Sequence, residues 1–233
     1  MSGHSKWSQI KHKKGVTDAK KSAAFTKVAN MITIAARLGG GDPGSNPRLD
    51  MVIAKARELN MPKENVERAI KRGTGELEGV TLEALTLEAY GPGGSALIIE
   101  AITDNKNRTI TDVRNALSQH GGKLASNGSV IYQFHKKGVI RINHPGEDLE
   151  LKAIDAGAED TVFENNLLEI YTRPEDLQKV KNNLSGIKFE SAELEYLPQN
   201  QINLTGETKK QTEELIQTLN DRDDVQEIYS NLS

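Results

Sequence analysis

Residues 139–197 read VIRINHPGEDLELKAIDAGAEDTVFENNLLEIYTRPEDLQKVKNNLSGIKFESAELEYL. Apolar spacing switches along this stretch between a period of two and a period near 3.6, the signatures of strand and helix. It divides into strand Val139–Asn143, helix Asp148–Ala156, strand Thr161–Glu164, strand Leu168–Thr172, helix Pro174–Leu184 and strand Lys188–Leu197. The order β-α-β-β-α-β is that of a ferredoxin-like unit. Upstream, Leu82–Tyr90 and Ala96–Thr103 read as strands joined by the turn Gly91-Pro92-Gly93-Gly94. A helix Asn107–His120 and a strand Ser129–His135 follow. Downstream, a helix Thr208–Leu219 and a strand Val225–Tyr229 remain, and they complete the sheet begun at Leu82. The ferredoxin-like unit is therefore expected as an insertion, residues 137–198, within a second domain formed by 80–136 and 199–233.

Residues 1–79 differ in kind. The first sixteen show neither helical nor strand periodicity and read as a basic arm. From Thr17, the residues Phe25, Val28, Ala29, Ile32 and Ala36 recur at helical spacing until Gly39-Gly40-Gly41. A second helix starts at Pro47 behind Asn46 as N-cap, with Leu49, Val52, Ile53, Ala56 and Leu59 on its inner stripe. A third starts at Pro62 and turns Val66, Ala69 and Ile70 inward until Gly73-Thr74-Gly75. The expected fold class is α+β: an N-terminal three-helix domain followed by two α/β domains, the third inserted in the second.

Composition removes several kinds of chemistry. The 233 residues include no cysteine, so thiol nucleophiles, thiolate metal sites and disulfides are excluded together. No run approaches the roughly 18 apolar residues of a transmembrane helix. The polar, basic beginning lacks the apolar core of a secretory signal, and a cytoplasmic protein is expected. The histidines, His4, His12, His120, His135 and His144, show no HExxH spacing. Gly39–Ser45 lacks the Lys-Ser/Thr of a phosphate loop, and no G-x-S-x-G surrounds Ser129. Neither catalytic residues nor a metal site nor a cofactor is expected, and no small-molecule substrate is inferred.

Charge supplies the positive signal. Residues 1–73 hold fifteen Lys/Arg against six Asp/Glu, a net of +9, while the remainder nets −12. Lys6, Lys11, Lys13, Lys14, Lys20, Lys21 and Lys27 fall within 22 residues, interleaved with His4, Trp7 and His12. Lysines at that density neutralise phosphates and release counterions, a source of affinity indifferent to base sequence. Trp7 offers a face on which an unpaired base can stack. The plain alternative is a solvated tail with Trp7 tucked against the helices. The third helix adds Lys63, Arg68, Lys71 and Arg72, with Glu64 and Glu67 spaced to form i,i+4 pairs with Arg68 and Lys71. Helices two and three loosely resemble a helix-turn-helix, yet Lys63-Glu64-Asn65 is a mixed first turn for reading a major groove. Residues 104–109, DNKNRT, sit between a strand and a helix, where Lys106 and Arg108 could assist a phosphate at the helix start. A cap by Asn107 and a structural Asp104 explain the same residues equally well. KKGVIRIN, residues 136–143, places no aromatic residue where an RNA-recognition sheet stacks bases.

Four blocks carry a family resemblance: GHSKWSQIKHKK (3–14), NPRLDMVIAKARELNMPKENVERAIKRGTG (46–75), YGPGGSALIIEAITDNKNRT (90–109) and GGKLASNGSVIYQF (121–134). In this order they closely resemble the YebC family over essentially the whole chain. The resemblance implies a helical N-terminal domain and two α/β domains. It also implies a regulator of gene expression: bacterial members are described as DNA-binding transcriptional regulators, mitochondrial relatives as translational activators, and bacterial members are also linked to translation of proline-rich stretches. Two departures are visible. Asp50 stands where the family often has a basic residue, weakening any phosphate contact there, and LASNG around Ala125 replaces a more glycine-rich stretch. The expected partner is nucleic acid, DNA first, with RNA or the ribosome as the alternative, and no membrane.

Overall fold

The computed structural model describes residues 18–233 apart from His144 and Glu147, with side chains from Lys21 onward. Among the described residues three helices come first: α1 (Asp18–Gly39), α2 (Pro47–Glu58) and α3 (Lys63–Thr74). Val28, Ile32, Leu49, Val52, Ile53 and Ala69 are buried among them. Asn46 joins two helix ends with one side chain. Its Oδ1 accepts the Leu49 N–H (3.1 Å), and its Nδ2 donates to the carbonyls of Ala35 and Gly40 (2.9 and 2.8 Å). That starts α2 and ties down the end of α1. α3 lies against α1 through small residues. Thr33 Oγ1 donates to Ala69 O (3.1 Å), and a Cβ on Gly73 would stand 2.4 Å from Thr33 O. Only glycine permits that approach.

Two four-stranded sheets follow. The first has the order β3-β1-β2-β8, built from β1 (Glu83–Tyr90), β2 (Ala96–Thr103), β3 (Lys123–Leu124) and, from the far end of the chain, β8 (Val225–Ser230). The helices α4 (Lys106–Gln119) and α7 (Gly206–Asn220) supply Val113, Leu117, Leu215 and Leu219 to a core with Ala89, Leu97 and Ile99. The second sheet has the order β5-β6-β4-β7, from β4 (Phe134–Asn143), β5 (Asp160–Glu164), β6 (Leu167–Thr172) and β7 (Ser191–Pro198), with α5 (Leu149–Asp155) and α6 (Leu177–Asn183) between strands. First and third strands side by side at the centre are the ferredoxin-like arrangement expected for β-α-β-β-α-β. Among the described residues, Phe134–Leu197 forms one compact unit, and residues 18–133 together with Pro198–Ser233 form another. β5 and β6 are joined by Asn165-Asn166, both at positive φ (50° and 65°), the two-residue hairpin turn that asparagine tolerates.

One expected strand is absent. Ser129–His135 instead contains a short 3-10 turn, Ile131–Gln133, and β4 begins at Phe134. The cause is Glu88 on β1, 4% exposed. Its carboxylate accepts the N–H groups of Gly128, Val130 and Ile131 at 2.6, 2.6 and 2.8 Å. These donors are satisfied by a side chain, so the segment loops around it rather than joining a ladder. Burial alone would push the Glu88 carboxyl up, but the three N–H bonds leave it below the usual carboxylate range. A lowered folded-state value means stability that is present above the unfolded carboxyl range, near 4.3, and lost as pH falls through the folded value. Glu88→Gln, which turns an amide N–H₂ towards backbone donors, is expected to cost about 1–3 kcal/mol at neutral pH. Urea midpoints should show the gap to the parent narrowing as pH falls; a constant gap between pH 7 and pH 3 would refute this role.

Candidate nucleic-acid interface

The basic residues named from sequence fall into three groups. His4, Lys6, Trp7, Lys11, His12, Lys13 and Lys14 lie outside the described residues, and Lys20 is described only by its backbone in α1. A second group is engaged. Lys21 is exposed, with its Nζ 5.8 Å from the Phe25 ring centroid one turn on. Lys27 is half-buried and donates to Asn220 O at 2.7 Å. Asn220 is the last residue of α7, where carbonyls lack intrahelical partners and the helix dipole is negative, so a lysine there acts as a cap. Lys63 pairs with Glu67 (3.5 Å) at a highly exposed position.

Arg68, Lys71 and Arg72 make the third group. Their spacing places all three on one side of α3, away from Ala69 and Gly73, which face α1. All are exposed, and none forms an ion pair with another described residue. The expected pairs Glu64–Arg68 and Glu67–Lys71 do not form; Glu67 turns back to Lys63. Helix α3 thus presents three adjacent guanidinium and ammonium groups, and its contact through Ala69 and Gly73 fixes their direction. Sequence reasoning passed over Arg37. It is exposed in the last turn of α1, and its backbone N lies 3.2 Å from where a Cβ on Gly73 would stand. Only the packing of α1 on α3 brings it beside the end of the α3 row; the linear pattern carries no sign of it. In the first turn of α3, Lys63 and Glu64 are exposed and Asn65 is half-buried.

At the start of α4 the cap is Asn105, whose Oδ1 accepts the Arg108 N–H (3.1 Å), in place of Asn107. Arg108 Nη2 donates to Asp104 Oδ1 (2.7 Å) and Asp224 Oδ2 (3.2 Å). Thr109 Oγ1 also donates to Asp224 (2.6 Å). A phosphate here would have to displace Arg108 from two carboxylates, leaving exposed Lys106 as the only other cation in this first turn. Among the described residues no group of three His, Asp or Glu side chains is placed to hold a metal ion, and no helix is long and apolar enough to cross a membrane.

The different surroundings of Lys27 and the α3 row give separable expectations. Lys27→Met should destabilise the fold by about 1–2 kcal/mol through the missing charged hydrogen bond, with the salt dependence of nucleic-acid binding unchanged. A reduced salt slope at unchanged stability would instead make Lys27 a phosphate contact.

Comparison with known proteins adds three findings. Residues 5–76 match a family model described as the TACO1/YebC protein N-terminal domain, and residues 82–232 match one described as the TACO1/YebC second and third domain. A probable transcriptional regulatory protein of Halothermothrix orenii is 49% identical over 239 residues, covering 99% of this chain and 94% of the relative. Another of the same description from Thermosipho melanesiensis is 50% identical over 236 residues, covering 99% and 93%. Among solved structures, a conserved hypothetical protein from Aquifex aeolicus superposes with a TM-score of 0.89 at 42% identity, over 98% of this chain and 97% of that one.

Proposed function

Because the chain belongs to the TACO1/YebC family, we propose that it is a non-enzymatic, cytoplasmic, nucleic-acid-binding regulator of gene expression, with DNA as the leading target. In this reading residues 1–79 are the binding domain, and the domains 80–136 with 199–233 and 137–198 are its acidic partners in the chain. The observation that carries the reading is the partition of charge, +9 in residues 1–73 against −12 beyond, together with the exposed row Arg68, Lys71 and Arg72. The proposed contacts are His4, Lys6, Trp7, Lys11, His12, Lys13, Lys14, Lys20 and Lys21 in the arm and first helix, joined by the α3 row and Lys63. The names of the relatives support transcription.

One observation favours the alternative, a translation factor that contacts RNA. Glu64 is exposed in the first turn of α3, where a groove-reading helix needs donors to base edges and would repel phosphate with a carboxylate. Competition binding separates the two. A DNA-reading regulator has a duplex sequence that outcompetes random duplex by at least about 10³ at physiological salt. If all duplexes compete equally and structured RNA wins, the DNA reading fails and the translation reading stands.

A further inference from the structure

The Phe134–Leu197 unit exposes three large apolar side chains on two neighbouring elements: Leu151 (67% exposed) and Ile154 (48%) on α5, and Phe163 (52%) on β5. α5 turns Leu149, Ala153 and Ala156 inward, so Leu151 and Ile154 stand on its outer side. β5 is the edge strand of its sheet. Phe163 pairs in register with buried Leu168, so it lies on the sheet face that α5 covers, at the margin of that cover. Apolar side chains of this size left in water carry a standing cost that burial against a partner would remove.

The surroundings specify the partner. Between residues 148 and 164 there are six carboxylates and one lysine, Lys152. Of these acids, Glu159 is paired with Lys137 (2.6 Å). Asp148, Glu150, Asp155, Asp160 and Glu164 are exposed around the apolar side chains. Such a rim repels phosphate backbones and anionic lipid surfaces. It also disfavours a second copy of this chain, whose matching face would bring like charge against like charge.

We propose that Leu151, Ile154 and Phe163 form a docking surface for a cationic amphipathic segment of a protein partner. The partner's apolar side chains cover these three residues while its Lys or Arg side chains meet Glu150, Asp155, Asp160 and Glu164. These residues are not among those proposed to contact nucleic acid, so the regulator would hold a polyanion with one set of side chains and a basic protein with another.

The test uses the full chain and a fluorescein-labelled Leu/Lys peptide of about 14 residues, roughly four helical turns. Its control is a scrambled peptide of equal composition without a continuous apolar face. Anisotropy titration should show the amphipathic peptide binding about tenfold more tightly than the scrambled one, a margin that buried apolar anchors confer. Leu151→Ser with Phe163→Ser should abolish that margin, and Glu150→Gln with Glu164→Gln should weaken both peptides and flatten their salt dependence. Amide shifts on adding the peptide should centre on α5 and β5, and nucleic-acid affinity should stay unchanged in the Ser variant. Equal binding of the two peptides, or a margin that survives the Ser substitutions, overturns the proposal. So does a parent chain that sediments as a dimer while the Ser variant sediments as a monomer, which would assign the surface to a second copy.

Discussion

Replacing Arg141 by Met is expected to destabilise the Phe134–Leu197 unit by about 3–5 kcal/mol, the usual cost of removing one partner from a buried ion pair. Arg141 stands on β4 opposite Glu169 of β6 and donates from Nε to Glu169 Oε1 at 2.6 Å. Its two terminal nitrogens donate to the two oxygens of Glu195 on β7. Tyr171 OH donates to Glu169 Oε2 (2.9 Å). The side chains of Arg141, Glu169 and Glu195 are only 11, 3 and 14% exposed. Burial by itself would push the guanidinium down, but the two carboxylates outweigh it and hold it above the ordinary arginine range. Without it, Glu169 and Glu195 are left as buried like charges across a central strand. Denaturant unfolding measures the loss. The triple variant Arg141→Met, Glu169→Leu, Glu195→Met should recover most of it, since apolar replacement of a whole buried network is often close to neutral. Equal destabilisation by single and triple variants would mean that packing, and not charge, explains the site. Burial and the negative charge of Glu169 also push the Tyr171 phenol up. A raised folded-state value makes that contribution complete below the ordinary tyrosine range near pH 10 and lost as pH climbs above it.

Arg68→Gln, Lys71→Gln and Arg72→Gln together are expected to weaken nucleic-acid binding about 10²-fold at physiological salt if all three meet phosphates. The salt slope should drop by about 0.9 for each phosphate that is no longer neutralised. Stability should move by less than about 0.5 kcal/mol, because exposed side chains with no ion pair to a described residue contribute little to folding. Gly73→Val is the contrast. Its Cβ has no room against Thr33 O, so overpacking of roughly 1–3 kcal/mol accompanies any weakening of binding. Thermal unfolding and binding on the same two variants separate a contact residue from a positioning one. Loss of stability in the triple variant, with binding intact, would remove α3 from the interface.

Much of this architecture is legible in the sequence because periodicity reports burial directly. Ile140 and Ile142, Leu168 and Ile170 alternate, and all four are buried in the central strands of the second sheet. What the sequence conceals is long-range pairing of polar groups. Nothing near residues 128–131 reveals that three of their N–H groups go to Glu88, forty residues earlier. Strand β3, Lys123–Leu124, is too short to show a period at all. Lys27 looks equivalent to Lys20 and Lys21 along the chain, but Asn220 O is its partner 193 residues away. Arg108 likewise finds Asp224, which only the return of the chain to β8 brings near. Arg37 shows the reverse effect: an ordinary helix-end basic residue in sequence becomes a neighbour of the α3 row once Gly73 lets the helices meet.

The most direct measurement is the salt dependence of nucleic-acid affinity for the parent chain and for a variant carrying Lys6→Gln, Lys11→Gln, Lys13→Gln and Lys14→Gln. With about five lysines on phosphates, log K against log salt for the parent should slope near −4 to −5. The variant should bind far more weakly, with a slope closer to zero by about 0.9 for each lysine that had neutralised a phosphate. Its melting temperature should be unchanged. A variant that keeps the parent's slope and affinity would contradict the assignment of polyanion binding to the N-terminal third of the chain.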